Sequence, residues 1–176
     1  SRLARLSRGD AVTDTELQRL VDAAPAQVRD LLQTEGYFRP QLAVQRQPAA
    51  APGLPETVVL RVTPGPRVQI ARVTIEAEGA LEQAQVAGDE RARGVLADLR
   101  GSWPLPVGSR FRNADWSDAK SAALARLRGA GYAAATWSGT AAEIDDEQHG
   151  ARLFLVVDSG PLFRSGTIQV EGLQQQ

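Results

Sequence analysis

The stretch Val157-Asp158-Ser159-Gly160-Pro161-Leu162-Phe163-Arg164-Ser165-Gly166-Thr167-Ile168 repeats features that stand earlier in the chain. Its Gly160-Pro161 pair follows Gly65-Pro66 by 95 residues, and Gly131-Tyr132 follows Gly36-Tyr37 by the same distance. Apolar residues recur at this offset too: Val58, Leu60 and Val62 match Leu153, Leu155 and Val157, and Val73 and Ile75 match Ile168 and Val170. A constant offset across separate segments indicates a duplicated structural module.

The repeat predicts where each module begins and ends. Residues 67–161 make one complete copy. Residues 1–66 make an incomplete copy whose opening strand is missing, and residues 162–176 make the first strand of a following copy.

The complete copy has the predicted element order β-α-α-β-β. Alternating apolar and polar residues predict a strand from Arg67 to Glu78, and a change of phase between Ile70 and Val73 indicates a β-bulge. Helical spacing and alternation predict the remaining elements: helices over Asp89–Leu99 and from about Asn113, and strands over about Ala133–Ala142 and Arg152–Val157. The predicted core consists of Ile70, Val73, Ile75, Leu124, Leu127, Leu153 and Leu155.

The first copy shows the same pattern. An apolar stripe from Leu17 to Leu32 predicts a helix that is kinked or restarted at Pro25 and ended by Gly36. Strands near Gln41–Gln47 and Thr57–Val62 follow it.

Composition excludes several classes of function. Twenty basic and twenty-one acidic residues give a net charge of −1, which argues against a protein that binds the phosphate backbone of nucleic acid. The absence of Cys excludes thiol catalysis, iron–sulfur clusters and thiolate zinc sites. A single His excludes multi-histidine metal sites, and no glycine-rich nucleotide fingerprint occurs. We therefore expect no enzyme activity and no cofactor.

Two local features allow alternatives. The acidic cluster Glu143, Asp145, Asp146 and Glu147 could bind Ca²⁺, but it lacks the ligand spacing of an EF-hand, so a solvated hairpin loop is favoured. His149 beside it is an exposed loop residue or a pH-sensitive group. Of the tryptophans, Trp116 is predicted in the core and Trp103 beneath the interhelical loop or at a partner contact. Trp137 either covers the helices or faces solvent.

A β-α-α-β-β repeat with Gly-Tyr closing its second helix resembles the polypeptide-transport-associated (POTRA) domain. The resemblance implies an α+β fold of tandem modules, each a three-stranded mixed sheet covered on one face by two helices. Similarity to the translocation-and-assembly-module (TamA) branch is carried by Leu105-Pro106-Val107-Gly108, Trp116, Lys120, Leu124, Leu127 and Gly131-Tyr132. Ala133 departs from the aromatic residue, such as Phe38, that often follows the Gly-Tyr pair.

The resemblance further implies a non-enzymatic periplasmic arm of a Gram-negative cell outer-membrane protein, which assembles and transports other proteins. Its partners would be unfolded outer-membrane or autotransporter client polypeptides, a TamB-like inner-membrane-anchored protein, and its own C-terminal membrane barrel outside these residues. The alternative is a POTRA arm of a BamA-like or two-partner-secretion transporter that acts as a fixed docking scaffold.

The resemblance also implies that the second strand of each module is the binding edge. The candidate residues are Ala135, Thr136, Trp137, Ser138, Gly139 and Thr140. Ala133–Ala142 carries no Lys and no Pro, so it lacks the usual devices that block edge pairing. An extended client could therefore add a strand here by β-augmentation. The alternative is a short surface strand without a binding role.

Overall fold

The computed structural model describes residues 14–54, 56–164 and 166. Elements in this part of the chain are, in order, α1 (Asp14–Thr34), β1 (Gln41–Gln47), β2 (Thr57–Thr63), β3 (Gln69–Glu78), α2 (Ala80–Val86), α3 (Glu90–Gly101), α4 (Asn113–Gly129), β4 (Thr136–Asp145) and β5 (Gly150–Asp158). The predicted strand over 162–176 lies largely outside the described residues, as do Ile168 and Val170. Judged by length and hydropathy together, none of the helices in the described ranges could cross a membrane.

The chain divides into two compact units. The first combines Ser1–Val73, Leu105–Asp118 and Ala142–Leu153, and the second combines Thr74–Pro104, Ala119–Ala141 and Phe154–Gln176. The predicted module boundaries at 66 and 161 remain predictions.

Five strands form two sheets in the described part of the chain. β1 and β2 pair antiparallel, with Gln41 opposite Thr63 and Gln47 opposite Thr57. β3, β5 and β4 form a mixed three-stranded sheet in that order, so that β5 is central and β4 lies at an edge. The α+β fold class predicted from the sequence is confirmed.

Helix α1 continues through Pro25 as one helix of 21 residues, so of the two predicted alternatives, a kink or a restart, the restart is wrong. Proline removes one backbone hydrogen bond and crowds the preceding turn. The apolar face is covered on both sides of the proline, since Val21 is buried and Val28 is half-buried.

Burial along β3 and at the residue before it changes phase where the sequence predicts a bulge. Val68 and Ile70 are buried, Ala71 and Arg72 are both exposed, and Ile75 is buried again. Two successive exposed residues shift the buried positions by one, which is the change that an extra residue in a strand produces.

Most of the predicted core is confirmed. Five of the seven residues are less than 5% exposed: Ile70, Ile75, Leu127, Leu153 and Leu155. Val73 and Leu124 are only half-buried. Val73 directly follows the exposed bulge residues, and Leu124 lies beside the buried stripe of α4, which Ala119, Ala123 and Leu127 form at successive turns. The predicted core position of Trp116 is likewise only half-buried.

The short helix α2 was not predicted from the sequence. It begins after Gly79, whose φ of 83° and ψ of −150° suit glycine, and its Leu81 is fully buried. The Leu81 N–H donates to the hydroxyl of the buried Ser159 at 3.0 Å. Seven residues give too little periodicity for a helical pattern to stand out.

The sequence repeat reappears as a repeated set of backbone hydrogen bonds. After α1, the N–H of Tyr37 donates to the Leu32 carbonyl, and the N–H of Val68 donates to the Gly36 carbonyl at 2.9 Å. Each bond recurs 95 residues later: the N–H of Tyr132 donates to Leu127, and that of Phe163 donates to Gly131 at 2.8 Å. Gly36 and Gly131 have left-handed φ values of 93° and 109°.

Contacts around the two glycines differ. Glu35 binds Arg112 at 2.9 Å and Arg67 at 3.6 Å, and the rings of Phe38 and Phe111 pack 6.2 Å apart. Ala130, Leu162 and Ala133 occupy the positions that correspond to Glu35, Arg67 and Phe38. The ion pairs and the aromatic contact of the first glycine are therefore not repeated at the second.

We expect Leu127→Ala to lower the free energy of unfolding by about 2–5 kcal/mol, because it removes a buried side chain and leaves a cavity. Val86→Ala is the control, since Val86 is 80% exposed and should change stability by less than about 0.5 kcal/mol. Denaturant unfolding would measure both. Equal effects of the two substitutions would show that the core assignment is wrong.

Amide hydrogen exchange should be slower at residues 153–157 of β5 than at residues 57–62 of β2. β5 lies between two strands with Leu153, Leu155 and Val157 buried, whereas β2 pairs only with β1 among the described residues. Backbone bonds with fewer buried neighbours open more often. Equal protection in a chain shown to be monomeric would contradict this expectation.

Candidate functional site

The predicted binding residues lie at the beginning of edge strand β4. Thr136, Trp137, Ser138, Gly139 and Thr140 are its first five residues, and four of them are exposed while Trp137 is half-buried. Between Thr136 and Ala142 the strand carries no charge and no proline. Its backbone is thus presented without the charged side chains that usually guard an edge.

Ala135, the sixth predicted residue, precedes the strand and is fully buried. Its N–H donates to the Tyr132 carbonyl at 3.0 Å, and its own carbonyl accepts two bonds from the Arg128 guanidinium, at 2.9 and 3.1 Å. Both backbone groups are occupied, so the predicted strand start at Ala133 is corrected to Thr136. Three consecutive alanines carry no sequence signal that marks this turn.

Trp137 faces the helices. Its indole N–H donates to the Lys120 carbonyl of α4 at 3.2 Å, and this contact confirms the first of the two alternatives for this side chain. The bond fixes the edge strand to the helix layer, so Trp137 supports the strand from beneath.

Ser138 lies on the opposite face of the sheet. Its hydroxyl is 3.2 Å from the Val156 carbonyl of β5 and 3.1 Å from a carboxylate oxygen of Glu78. These bonds engage the side chain within the protein, so a partner that pairs with β4 would meet mainly its backbone.

The other edge of the sheet is partly covered. The N–H of Ile70 donates to the Ser109 carbonyl at 2.7 Å, and the Ile70 carbonyl accepts from Gly108 at 2.8 Å. Farther along β3, Arg100 donates to the Ile75 carbonyl at 3.1 Å. Within the described ranges no backbone outside the sheet pairs with β4 in this way, which leaves β4 as the more open edge.

The acidic cluster at the end of β4 and in the turn that follows it is held by internal contacts. The Asp145 carboxylate accepts from the backbone N–H groups of Glu147 and Gln148, both at 3.1 Å, which closes the turn. Glu143 pairs with Arg152 at 3.3 Å and Asp146 with Arg39 at 2.8 Å. Among the described residues, no group of three or more His, Cys, Asp or Glu side chains could hold a metal ion.

The pKa of the Asp146 carboxyl reflects its pairing with Arg39. The hydrogen bond and charge of Arg39 hold the pKa of the Asp146 carboxyl below its usual value, against the opposing effect of desolvation. His149, at the end of the turn with a φ of 54°, adds a smaller effect in the same direction.

Comparison with solved structures gives matches to POTRA domains. POTRA domains 3–5 of BamA from Haemophilus influenzae match 94% of this chain and 61% of that chain, with 21% identity and a TM-score of 0.38. POTRA domain 4 of the same protein matches 54% of this chain and 95% of its own, at 25% identity and a TM-score of 0.34. POTRA domains 1–2 of Omp85 from Anabaena match 89% and 80%, at 21% identity and a TM-score of 0.38.

This chain therefore spans about three fifths of the first of these structures. At such TM-scores the superpositions carry no functional argument. No protein-family model matches the sequence, and no curated protein matches it.

Replacing Arg39 by Gln should raise the pKa of Asp146 toward its usual value, because the main cause of its depression is removed. In the parent, a depressed pKa stabilises the fold at pH values above the unfolded-state pKa, and this contribution disappears as the pH falls through the folded-state pKa. Carboxyl NMR titration would measure the shift. Arg152→Gln is the control, since Arg152 pairs with Glu143, and the parent and control must titrate alike at Asp146.

Proposed function

We propose that this chain is a non-enzymatic periplasmic arm of an outer-membrane protein assembly and translocation factor, which holds extended client chains at β4. The observation that carries this proposal is the contrast between the two sheet edges. Backbone and side-chain groups cover parts of β3, while residues 136–142 of β4 present an uncharged edge. The POTRA-like element order that the 95-residue repeat predicts supports the assignment to this class of arm.

Binding would occur by β-augmentation over residues 136–140. The client's backbone N–H and C=O groups would pair with those of β4 and extend the sheet by one strand. The side chains of Trp137 and Ser138 already bond within the protein, so selection among client sequences would be weak. This suits a module that must accept many different chains.

The expected affinity is low. Roughly four backbone hydrogen bonds at about 1 kcal/mol each give a Kd near 1 mM, before any ordering cost is subtracted. A client held so weakly would be released readily to the next step of assembly.

We further propose a TamA-like role for the whole protein, with outer-membrane or autotransporter polypeptides as clients and a TamB-like inner-membrane-anchored protein as partner. The residues similar to the TamA branch, Leu105-Pro106-Val107-Gly108 and Lys120 among them, support this choice over a BamA-like or two-partner-secretion role. A fixed partner would recognise side chains as well as backbone. Side-chain truncation in β4 should then weaken it, whereas an extended client should tolerate the same change.

The decisive substitutions are Ser138→Pro and Gly139→Pro, made separately. Each removes one backbone N–H and obstructs strand addition. Alternate residues of an edge strand point their N–H groups outward, so one of the two variants should lose client binding while it stays folded. The measurement is an NMR titration with a synthetic peptide that has the alternating residues of an outer-membrane strand, with circular dichroism as the test of folding.

Ser138→Ala is the matched control. It keeps the backbone N–H and removes only the hydroxyl that bonds Val156 and Glu78, so peptide binding should stay within about twofold of the parent. If both proline variants fold and bind the peptide as the parent does, pairing at this strand is not the mechanism. A large loss of binding in Ser138→Ala would instead favour a fixed partner that reads side chains.

A further inference from the structure

The outer edge of β2, in the first unit, has no strand partner in the described part of the chain. β2 pairs with β1 on one side, and no other backbone group within the described ranges bonds to residues 57–63. At the offset of 95 residues, β2 corresponds to β5, and β1 corresponds to residues 136–142 of β4. Since β5 lies between β4 and β3, the unpaired edge of β2 is the one that corresponds to the β3 side of β5.

The apolar side chains of β2 are less covered than their counterparts in β5. The three that alternate along the strand are half-buried: Val58, Leu60 and Val62. Those at the corresponding positions of β5 are at most 1% exposed: Leu153, Leu155 and Val157. The same pattern is therefore fully buried in the three-stranded sheet and only partly buried at β2. A strand added at this edge would remove further apolar surface from water, which favours association.

The chain contains a second segment whose sequence matches that of β3. Residues 167–172, Thr-Ile-Gln-Val-Glu-Gly, are identical to residues 74–79, Thr-Ile-Glu-Ala-Glu-Gly, at four of six positions. All but the last residue of the earlier stretch belong to β3, and its Ile75 is buried. Ile168 and Val170 lie two positions apart, so they would share one face of a strand. Although it lies outside the described residues, this segment has the sequence that a strand beside β2 requires.

The strand order indicates which copy of the chain this segment pairs with. β3 pairs with β5, which follows it in the chain, and not with β2, which precedes it. By the same rule, residues 167–172 would not pair with β5, which precedes them. Among the described strands, β2 is the β5-like strand whose edge is unpaired, and a second copy of the chain supplies that edge.

We propose that residues 167–172 of one copy of this chain pair with the outer edge of β2 in a second copy. Ile168 and Val170 would lie on the same face as the half-buried side chains of β2. Each copy carries one such segment and one such edge, so association is head-to-tail and can add further copies. About four backbone hydrogen bonds and two buried apolar side chains, less the cost of association, give a Kd of roughly 10 µM to 1 mM. This interface between copies goes beyond the proposed client site at β4.

Disulfide trapping tests which strand the segment contacts, because the chain has no Cys of its own. Arg61→Cys marks β2 and Gln169→Cys marks the segment. Both residues alternate with apolar neighbours, so they would lie on the same face of the combined sheet. Neighbouring strands are about 4.8 Å apart, within the range of Cα separations that a disulfide bridges. Two single-cysteine chains are mixed, and the linked peptides are identified by mass spectrometry, so every mixed disulfide joins two copies.

Gln45→Cys in place of Arg61→Cys is the matched control. Gln45 lies opposite Val59 on β1 and so shares the face of Arg61, but it is one strand farther from the outer edge of β2. We expect the Arg61 pair to form at least about tenfold faster than the Gln45 pair, because only its Cα atoms come within disulfide range. Equal rates, or a faster Gln45 pair, would overturn the proposal.

Sedimentation velocity tests the association itself over about 10 µM to 1 mM. The mass of the parent should rise with concentration. Ile168→Asp should weaken association at least about tenfold, since it places a charge where an apolar side chain is buried. Gln169→Asp is the control, because it places the same charge on the exposed face and should change the Kd by no more than about twofold. A parent that stays monomeric, or an equal loss in both folded variants, would contradict the interface.

The client site at β4 is tested apart from this interface. Ser138→Pro and Gly139→Pro should leave self-association unchanged, and Thr140→Cys should link to Gln169→Cys no faster than the β1 control. If the Thr140 pair forms fastest, or if the proline variants abolish association, residues 167–172 add to β4 and the β2 interface is wrong. Neither measurement uses the client peptide, so failure of client binding and failure of this interface are separate results.

Discussion

The backbone hydrogen bond that a linker residue donates to the glycine carbonyl after a helix is the interaction on which the repeated structure depends. Val68 makes it to Gly36, and Phe163 makes it to Gly131. A side chain at either glycine would strain the left-handed backbone and collide with a neighbour: the Phe111 carbonyl at Gly36, and Leu162 at Gly131, where the ideal Cβ is 2.9 Å from Cδ1. The glycine is needed for close approach as well as for its φ angle.

The same backbone hydrogen bond forms at Gly36 and at Gly131 although different side chains surround the two glycines. Around Gly36, Glu35 and Arg112 add charge-assisted bonds and Arg67 lies over the Tyr37 ring. Around Gly131 the corresponding side chains are alanine and leucine. The arrangement is thus specified by backbone geometry, and the side chains tune how strongly each helix end is held. The Glu35 carboxyl shows this tuning, since the bond from Arg112 lowers its pKa.

Features whose pattern extends over many residues can be predicted from the sequence, whereas features that depend on a single contact cannot. The offset of 95 residues, the bounds of β1 and the shift of burial within β3 all follow from periodicity. The start of β4 does not follow from periodicity, because the residue before it, Ala135, is bonded through its carbonyl to Arg128 across a turn of alanines. Helix α2 depends on Ser159, which lies 78 residues from the N–H that it accepts. No local pattern reports contacts of that range.

The candidate binding edge can likewise be predicted from the sequence only in part. Strand type and freedom from guarding charges can be predicted from Thr136–Ala142 alone, since both are properties of residue types. Which edge of the sheet is open cannot be predicted from these residues, because it depends on where residues 108–111 and Arg100 pack. These groups bond to β3 and leave β4 as the edge with its backbone available. A β4 strand whose backbone was covered by similar bonds would have the same sequence but no capacity for strand addition. The absence of such bonds at β4 among the described residues, together with its uncharged residues, therefore makes this strand the candidate binding site.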